Sequence, residues 1–266
     1  MCKKRIMKKI FYLTMCLVVG FASCSEDKEK SDGDFYKSGT EKGHDYVDFG
    51  LPSKTLWATC NVGALKPIDY GSYYAWGDVG SVATFTWNTY KYADGADDQL
   101  TKYCTKSSYG KGGLKDNKTV LELSDDVASV SWGGKWRMPT KIQYVELQEN
   151  CYWVWVDNYN DSNVAGFVVY KPKTSNDKGV VVYGGESPLS SYSYSDAHIF
   201  LPAAGFYYNG SNISLQGSTG NYWSSSLNSD FPSYAWVVTF TSNNMYCLGS
   251  LIYRYCGQTV RPVFVP

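Results

Sequence analysis

The sequence predicts a strand- and loop-rich α+β domain, on three observations. The chain has 24 Tyr, 9 Trp, 11 Phe and 25 Gly among its 266 residues. Its aromatic and β-branched runs are punctuated by Gly, Asn, Ser and Pro, a pattern that favours pleated, half-buried strands over helices. Only two stretches carry helix-start signals. From Gly43 to Pro266 nothing marks a second domain, and about 220 residues suit a single all-β or α+β unit.

Each element has its own warrant. Strands are expected over Tyr46–Gly50, Leu56–Val62, Tyr152–Val156, Gly166–Tyr170, Val180–Tyr183, His198–Leu201, Gly205–Tyr208, Ala235–Phe240 and Thr259–Val263. In Ser124-Asp125-Asp126-Val127-Ala128 the Ser is placed to cap a helix, with acids in its first turn. In Thr140-Lys141-Ile142-Gln143 the Thr and Gln fit a capping box, after which Tyr144, Leu147 and Cys151 share a helix face. Trp153 and Trp155 alternate along one strand and so point to one side, where core packing is the expected role. Asp157-Asn158-Tyr159-Asn160-Asp161 is rich in oxygen but lacks the Gly and Glu of a calcium loop, so a hairpin loop is expected. Ser224-Ser225-Ser226 lacks a Gly-x-Ser-x-Gly elbow, and its hydroxyls are expected to bond turn backbone.

The first residues have a different character. Lys3, Lys4, Arg5, Lys8 and Lys9 precede an apolar run from Ile10 to Val19, and Ala22-Ser23 lead to Cys24. A charged region, a short apolar run and a small-residue cleavage site make a secretory signal over residues 1–23. The run is too short for a helix crossing roughly 30 Å of hydrocarbon. Phe21-Ala22-Ser23-Cys24 resembles the lipobox of bacterial lipoproteins, which implies cleavage before Cys24 and acylation of its thiol. Ser25-Glu26-Asp27-Lys28-Glu29-Lys30 opens a charged tether, residues 24–42, and looks like the surface-export signal of Bacteroidetes lipoproteins. The expected location is therefore the outer membrane, lipid-anchored and facing outward.

Charge and cysteine content narrow the chemistry. Of 25 basic residues five lie in the signal, leaving 20 against 25 acidic and a formal net charge of −5. No basic stripe remains for phosphates, which argues against a nucleic-acid partner. Outside the signal and the anchor stand Cys60, Cys104, Cys151, Cys247 and Cys256, an odd number that leaves at least one without an intrachain partner. No spacing is CxxC and only His44 and His198 could add imidazole, so neither a metal nor another cofactor is expected.

A family resemblance adds to this reading. Its carriers are Tyr46-Val47-Asp48-Phe49-Gly50-Leu51-Pro52-Ser53, Leu56-Trp57-Ala58-Thr59-Cys60-Asn61-Val62-Gly63-Ala64, Tyr74-Ala75-Trp76-Gly77 and Trp132-Gly133-Gly134-Lys135-Trp136-Arg137-Met138-Pro139-Thr140. Phe200-Leu201-Pro202-Ala203-Ala204-Gly205, Tyr222-Trp223-Ser224-Ser225-Ser226 and Gly257–Val263 complete the set. Together they resemble the Fibrobacter succinogenes major paralogous domain, a family of Bacteroidetes surface lipoproteins similar to the formylglycine-generating-enzyme branch of the C-type lectin fold. The resemblance implies a C-type-lectin-like domain over residues 43–266, with a small twisted antiparallel sheet, one or two helices, and termini that meet. Trp57, Trp76, Trp132 and Trp136 lie inside these motifs and are expected to pack the fold. Gln143 and Tyr144 depart from the Glu and Trp usual in the enzyme branch.

The same resemblance frames the function. A copper-dependent oxidase would need two nearby cysteines late in the domain, where Cys247 and Cys256 stand, but their spacing differs from that of the enzymes. A structural subunit of a surface filament is a further alternative. The favoured expectation is a non-enzymatic adhesion domain that holds a protein or glycan ligand. Tyr246 to Gly257 keeps neither a helical nor a strand rhythm and is drawn from residues that adenine randomisation by a diversity-generating retroelement yields. Tyr with Ser and Gly is the chemistry of binding loops. Tyr246, Leu248, Ser250, Leu251, Ile252, Tyr253, Arg254 and Tyr255 are thus the expected contact residues. Cys60, in a motif strand, and Cys151, at a helix end, are expected near the core and paired as a disulfide.

Overall fold

The computed structural model describes residues 35–266, without the side chains of residues 247–250. The expected signal segment, Cys24 and the first part of the tether lie outside the described residues. Along the described unit, Phe35–Pro266, the strands begin with β1 (Gly39–Glu41), β2 (His44–Val47) and β3 (Leu56–Ala58). Helices α1 (Val127–Trp132) and α2 (Lys141–Asn150) come next, followed by β4 (Tyr152–Val156), β5 (Gly166–Tyr170), β6 (Val181–Val182) and β7 (His198–Pro202). The chain then forms β8 (Phe206–Tyr207), β9 (Ile213–Ser214), β10 (Thr219–Leu227), β11 (Tyr234–Thr241), β12 (Met245–Tyr253) and β13 (Val263–Phe264). The architecture is α+β and strand-rich, as the sequence predicts.

Four small sheets divide the strands, in the orders β1-β2-β3-β13, β6-β4-β5-β7, β10-β11-β12 and β8-β9. The first joins the two ends of the described unit: Val263 and Phe264 pair with Trp57 and Leu56. It begins ahead of the expected domain start at Gly43, because Gly39–Glu41 already pairs with His44–Tyr46. In β4 the alternation of Tyr-Trp-Val-Trp-Val is used on both faces. Trp153 and Trp155 join one apolar cluster with Trp57, Tyr144, Leu147 and Phe167, while Tyr152 and Val154 join another with Tyr159, Val168 and Phe200. A further cluster gathers Trp76, Tyr103, Trp223, Val237 and Val260. Trp57, Trp76 and Trp136 are fully buried. Trp132 stacks flat on the His44 imidazole, ring centroids 3.6 Å apart.

The second helix forms where its cap signals place it. Thr140 Oγ1 accepts from the Gln143 amide at 3.3 Å, and Gln143 Oε1 accepts from the Thr140 amide at 2.9 Å. The box satisfies two otherwise orphaned donors, and Tyr144 and Leu147 enter the core fully buried. The first helix differs from expectation by one cap. Asp126, not Ser124, accepts from the amides of Ala128 and Ser129, while its other oxygen holds the Met138 amide at 2.8 Å. One side chain thereby joins the helix start to the strand-like run before α2.

Two segments read as irregular are ordered strands. Ser224, Ser225 and Ser226 lie within β10, not in a turn, and their hydroxyls bond the backbone of neighbouring segments: Ser224 to the Trp236 carbonyl, Ser225 to that of Pro139, and Ser226 from the Lys141 amide. The run from Tyr246 enters β12, antiparallel to β11. The stretch Asp157–Asp161 does connect β4 to β5, as a 3-10 turn in which Asn160 and Asp161 take positive φ.

Candidate functional site

The site is assembled on β11 and β12. In Tyr234-Ala235-Trp236-Val237 the small and branched residues are buried while Tyr234 and Trp236 stay half-exposed, as period-two alternation requires. Val237 and Val238 then point to opposite faces and are both buried, one in the cluster around Trp76 and the other in that around Trp153. Across the ladder Tyr253 faces Tyr234, Leu251 faces Trp236, and Tyr246 faces Thr239. Directly opposed residues share a face, so Tyr234, Trp236, Leu251 and Tyr253 form one aromatic and aliphatic outer surface, while Tyr246, paired with Thr239, lies on the other face of the sheet. Tyr246 is 53% exposed, and the Tyr234 and Tyr253 rings stack at 4.2 Å. Tyr253 is flanked further by Trp87 and Tyr255.

The predicted contact residues therefore separate. Leu251 and Tyr253 meet on the outer face, and Tyr246 is exposed on the opposite face. Ile252, opposite Ala235, turns toward the apolar cluster beneath. Leu248 and Ser250 belong to β12, with side chains outside the description.

Arg254 and Tyr255 are corrections: they are 0% and 5% exposed and cannot contribute to a contact surface. The Arg254 guanidinium donates to the Tyr90 hydroxyl at 2.8 Å and to the carbonyls of Tyr103, Pro232 and Lys102 at 3.0, 2.9 and 3.0 Å. It lies over the Trp76 ring at 5.0 Å. Arginine's planar fork suits such a task, since it serves several acceptors without losing its charge. Arg254 thus ties the end of β12 to the loop around residues 102–103. That loop is fixed in turn by Asp125, which takes Lys102 at 2.5 Å and the Tyr103 hydroxyl at 2.6 Å, and whose carboxyl pKa lies well below the usual range. Burial alone would raise that pKa; the hydrogen bonds from Lys102, Tyr103 and Tyr92 outweigh it.

The predicted disulfide is likewise corrected. Cys60 and Cys151 are free thiols, as are Cys104 and Cys256. Cys151 is fully buried in the cluster around Trp153, whereas Cys60 lines a recess of about 210 Å³ with His44, Asp45 and Trp132. Burial pushes the Cys256 thiol up to about 12, the reverse of what a ligating thiolate needs. Among the described residues no three His, Cys, Asp or Glu side chains converge to hold a metal ion. No described helix is long and apolar enough to cross a membrane.

Sequence reasoning missed Tyr234, Trp236 and Lys141. The alternation over residues 234–237 was visible as a strand, but which face would stay open was not. Lys141, the first residue of α2, holds its ammonium 3.6 Å from the centre of the Trp236 ring. Beside this pair lies a recess of about 380 Å³, lined also by Thr119, Val120, Ile142, Ser226 and Asn228. The recess and the outer face meet at Trp236.

Against known proteins, residues 170–263 match the model of a domain of unknown function (DUF8237), 94 of the 266 residues. No curated protein and no solved structure matches the chain. The matched stretch runs from the end of β5 to the start of β13, so it contains the whole outer face of β11 and β12 but not the α2 residue that leans on it.

Proposed function

We propose that the chain is a surface-anchored lipoprotein of lectin-like fold that holds an external protein or glycan ligand on the outer face of β11 and β12. The observation that carries the reading is the set Tyr234, Trp236, Leu251 and Tyr253, brought to one side of a sheet and left partly open. Aromatic side chains with few rotatable bonds give contact area at low entropy cost. The meeting of both ends of the unit in one sheet supports the lectin-like reading. Anchoring rests on the lipobox and tether, with Cys24 as the acylated residue.

Screening the full chain against immobilised protein and glycan panels, then repeating with Tyr234→Ala and Tyr253→Ala, tests the reading. Buried aromatic anchors typically contribute at least about 2 kcal/mol to binding, some thirtyfold. Capture that survives both substitutions overturns the assignment. Cys24→Ala should move the chain from the membrane to the soluble fraction, and retention after a carbonate wash refutes the anchor.

A further inference from the structure

Lys141 breaks a local rule. It is the first residue of α2, where the partial positive charge of the helix favours an acid and disfavours a cation. No acidic residue occupies that first turn. Among the described residues Lys141 has no carboxylate partner; its ammonium rests on Trp236. Asp230, on the rim of the same recess, is turned to Lys106 at 3.9 Å. Lys141 thus has no salt bridge among the described residues although Asp230 lines the same recess, and a break in the helix-charge rule is of the kind found at functional positions.

The surroundings indicate what would neutralise it. Ile142 is 74% and Val120 46% exposed, and both line the recess. Phe231, next to Asp230, is 51% exposed. A cation set within an apolar rim matches a carboxylate flanked by apolar side chains more closely than it matches a neutral polyol.

We infer that the recess between the start of α2 and Trp236 docks an acidic peptide segment of a partner protein, its carboxylate on Lys141 Nζ and a neighbouring aliphatic side chain on Val120 and Ile142. This rests on the proposed ligand-holding role and assigns that surface a protein partner. Trp236 orients the ammonium by holding the lysine stem in place, and Ser226, which accepts from the Lys141 amide, fixes the backbone beneath it.

The test titrates the full chain with acetyl-Leu-Glu-Leu-amide, with the isosteric Gln peptide, and with sodium glucuronate, followed by heteronuclear NMR. The Glu peptide should saturate in the millimolar range, bind about two- to fivefold more tightly than the Gln peptide, and weaken with added salt. Lys141→Met keeps the stem over Trp236 and should reduce Glu-peptide affinity to that of the Gln peptide, with an unchanged melting temperature. Equal binding of both peptides, indifference to Lys141→Met, or saturation by glucuronate alone overturns the inference. The two readings fail separately. Panel capture that depends on Tyr234 and Tyr253 without any Glu-peptide binding removes only the peptide site. Glu-peptide binding that needs Lys141, with capture indifferent to Tyr234 and Tyr253, removes only the outer-face assignment.

Discussion

Replacing Arg254 by Met should destabilise the fold rather than weaken a ligand. The side chain is fully buried and its guanidinium makes four hydrogen bonds, three of them to backbone carbonyls. Met fills much of the volume but donates nothing, so Tyr103, Pro232 and Lys102 each lose the donor from Arg254. Orphaning a buried acceptor costs about 1–3 kcal/mol. Relief from desolvating the guanidinium offsets part of that sum, and measured losses for broken buried charge networks run to about 3–5 kcal/mol.

We expect a loss in that range, equivalent to a fall in melting temperature of roughly 10 °C for a unit of this size. Arg254→Lys should recover little, because one ammonium cannot reach four acceptors spread around a planar fork. Urea denaturation of the full chain gives the free energy, and Tyr246→Ala, at an exposed position, should stay within about 0.5 kcal/mol of the parent. An Arg254→Met variant within about 1 kcal/mol of the parent would refute the anchoring account and return Arg254 to the list of contact residues.

Three further outcomes follow from named groups. Thr140→Ala removes the cap of α2 and should cost about 1 kcal/mol by urea denaturation; no change would mean that tertiary packing alone holds the helix start. Burial lowers the His198 pKa below its ordinary value, with Nε2 2.7 Å from the Tyr159 hydroxyl and Nδ1 2.7 Å from the Asp196 carbonyl. Folding then favours the neutral ring, so its contribution is complete above about pH 6.5 and declines as pH falls through that value toward the native pKa. His44, lowered chiefly by burial, acts with the same sign, and the slope of stability between pH 7 and 5 should shrink in His198→Asn; an unchanged slope refutes the assignment. In a Cys247→Ser background a thiol reagent should label Cys60 well ahead of Cys104, Cys151 and Cys256 in the native state, because of these four Cys60 alone is partly exposed; equal rates would contradict the burial pattern.

What was legible in the sequence was local or two-sided. The capping box at Thr140 and Gln143 is read from four consecutive residues and needs no tertiary partner. The strands β4, β5 and β7 are near-continuous apolar runs, buried on both faces, and they stand out for that reason. By contrast β10 is Thr-Gly-Asn-Tyr-Trp-Ser-Ser-Ser-Leu, with only two aromatic residues and a terminal Leu to mark it. It is held as a strand by β11 on one side and by bridges to Gly205 and Thr259, none of which its own composition reveals. In β12 the rhythm is hidden by the bulge. Val237 pairs Ser250 and Thr239 pairs Tyr246, so two steps along β11 span four along β12. A period-two search across Tyr246 to Tyr253 fails at that point. Arg254 misled for another reason: arginine is usually exposed, and three of its acceptors, Tyr90, Lys102 and Tyr103, lie about 150 residues earlier in the chain.

The division of this C-terminal run bears on the proposal that it is diversified. Partly open positions of β12, such as Tyr246, Leu251 and Tyr253, can change side chain without altering the ladder, since strand pairing runs through the backbone. From Arg254 onward the demands reverse. Arg254 serves four acceptors, Tyr255 and Cys256 are buried, and a Cβ added at Gly257 would come within 2.6 Å of the Phe85 ring. Randomisation reaching residue 257 would therefore produce mostly unfolded chains. A segment that varies binding while keeping the fold should end at Tyr253. A surface-displayed library randomised over 246, 251 and 253 should retain a far larger folded fraction, by protease resistance, than one randomised over 254, 255 and 257. Equal retention would show that the buried arginine and its neighbours do not constrain the end of the strand.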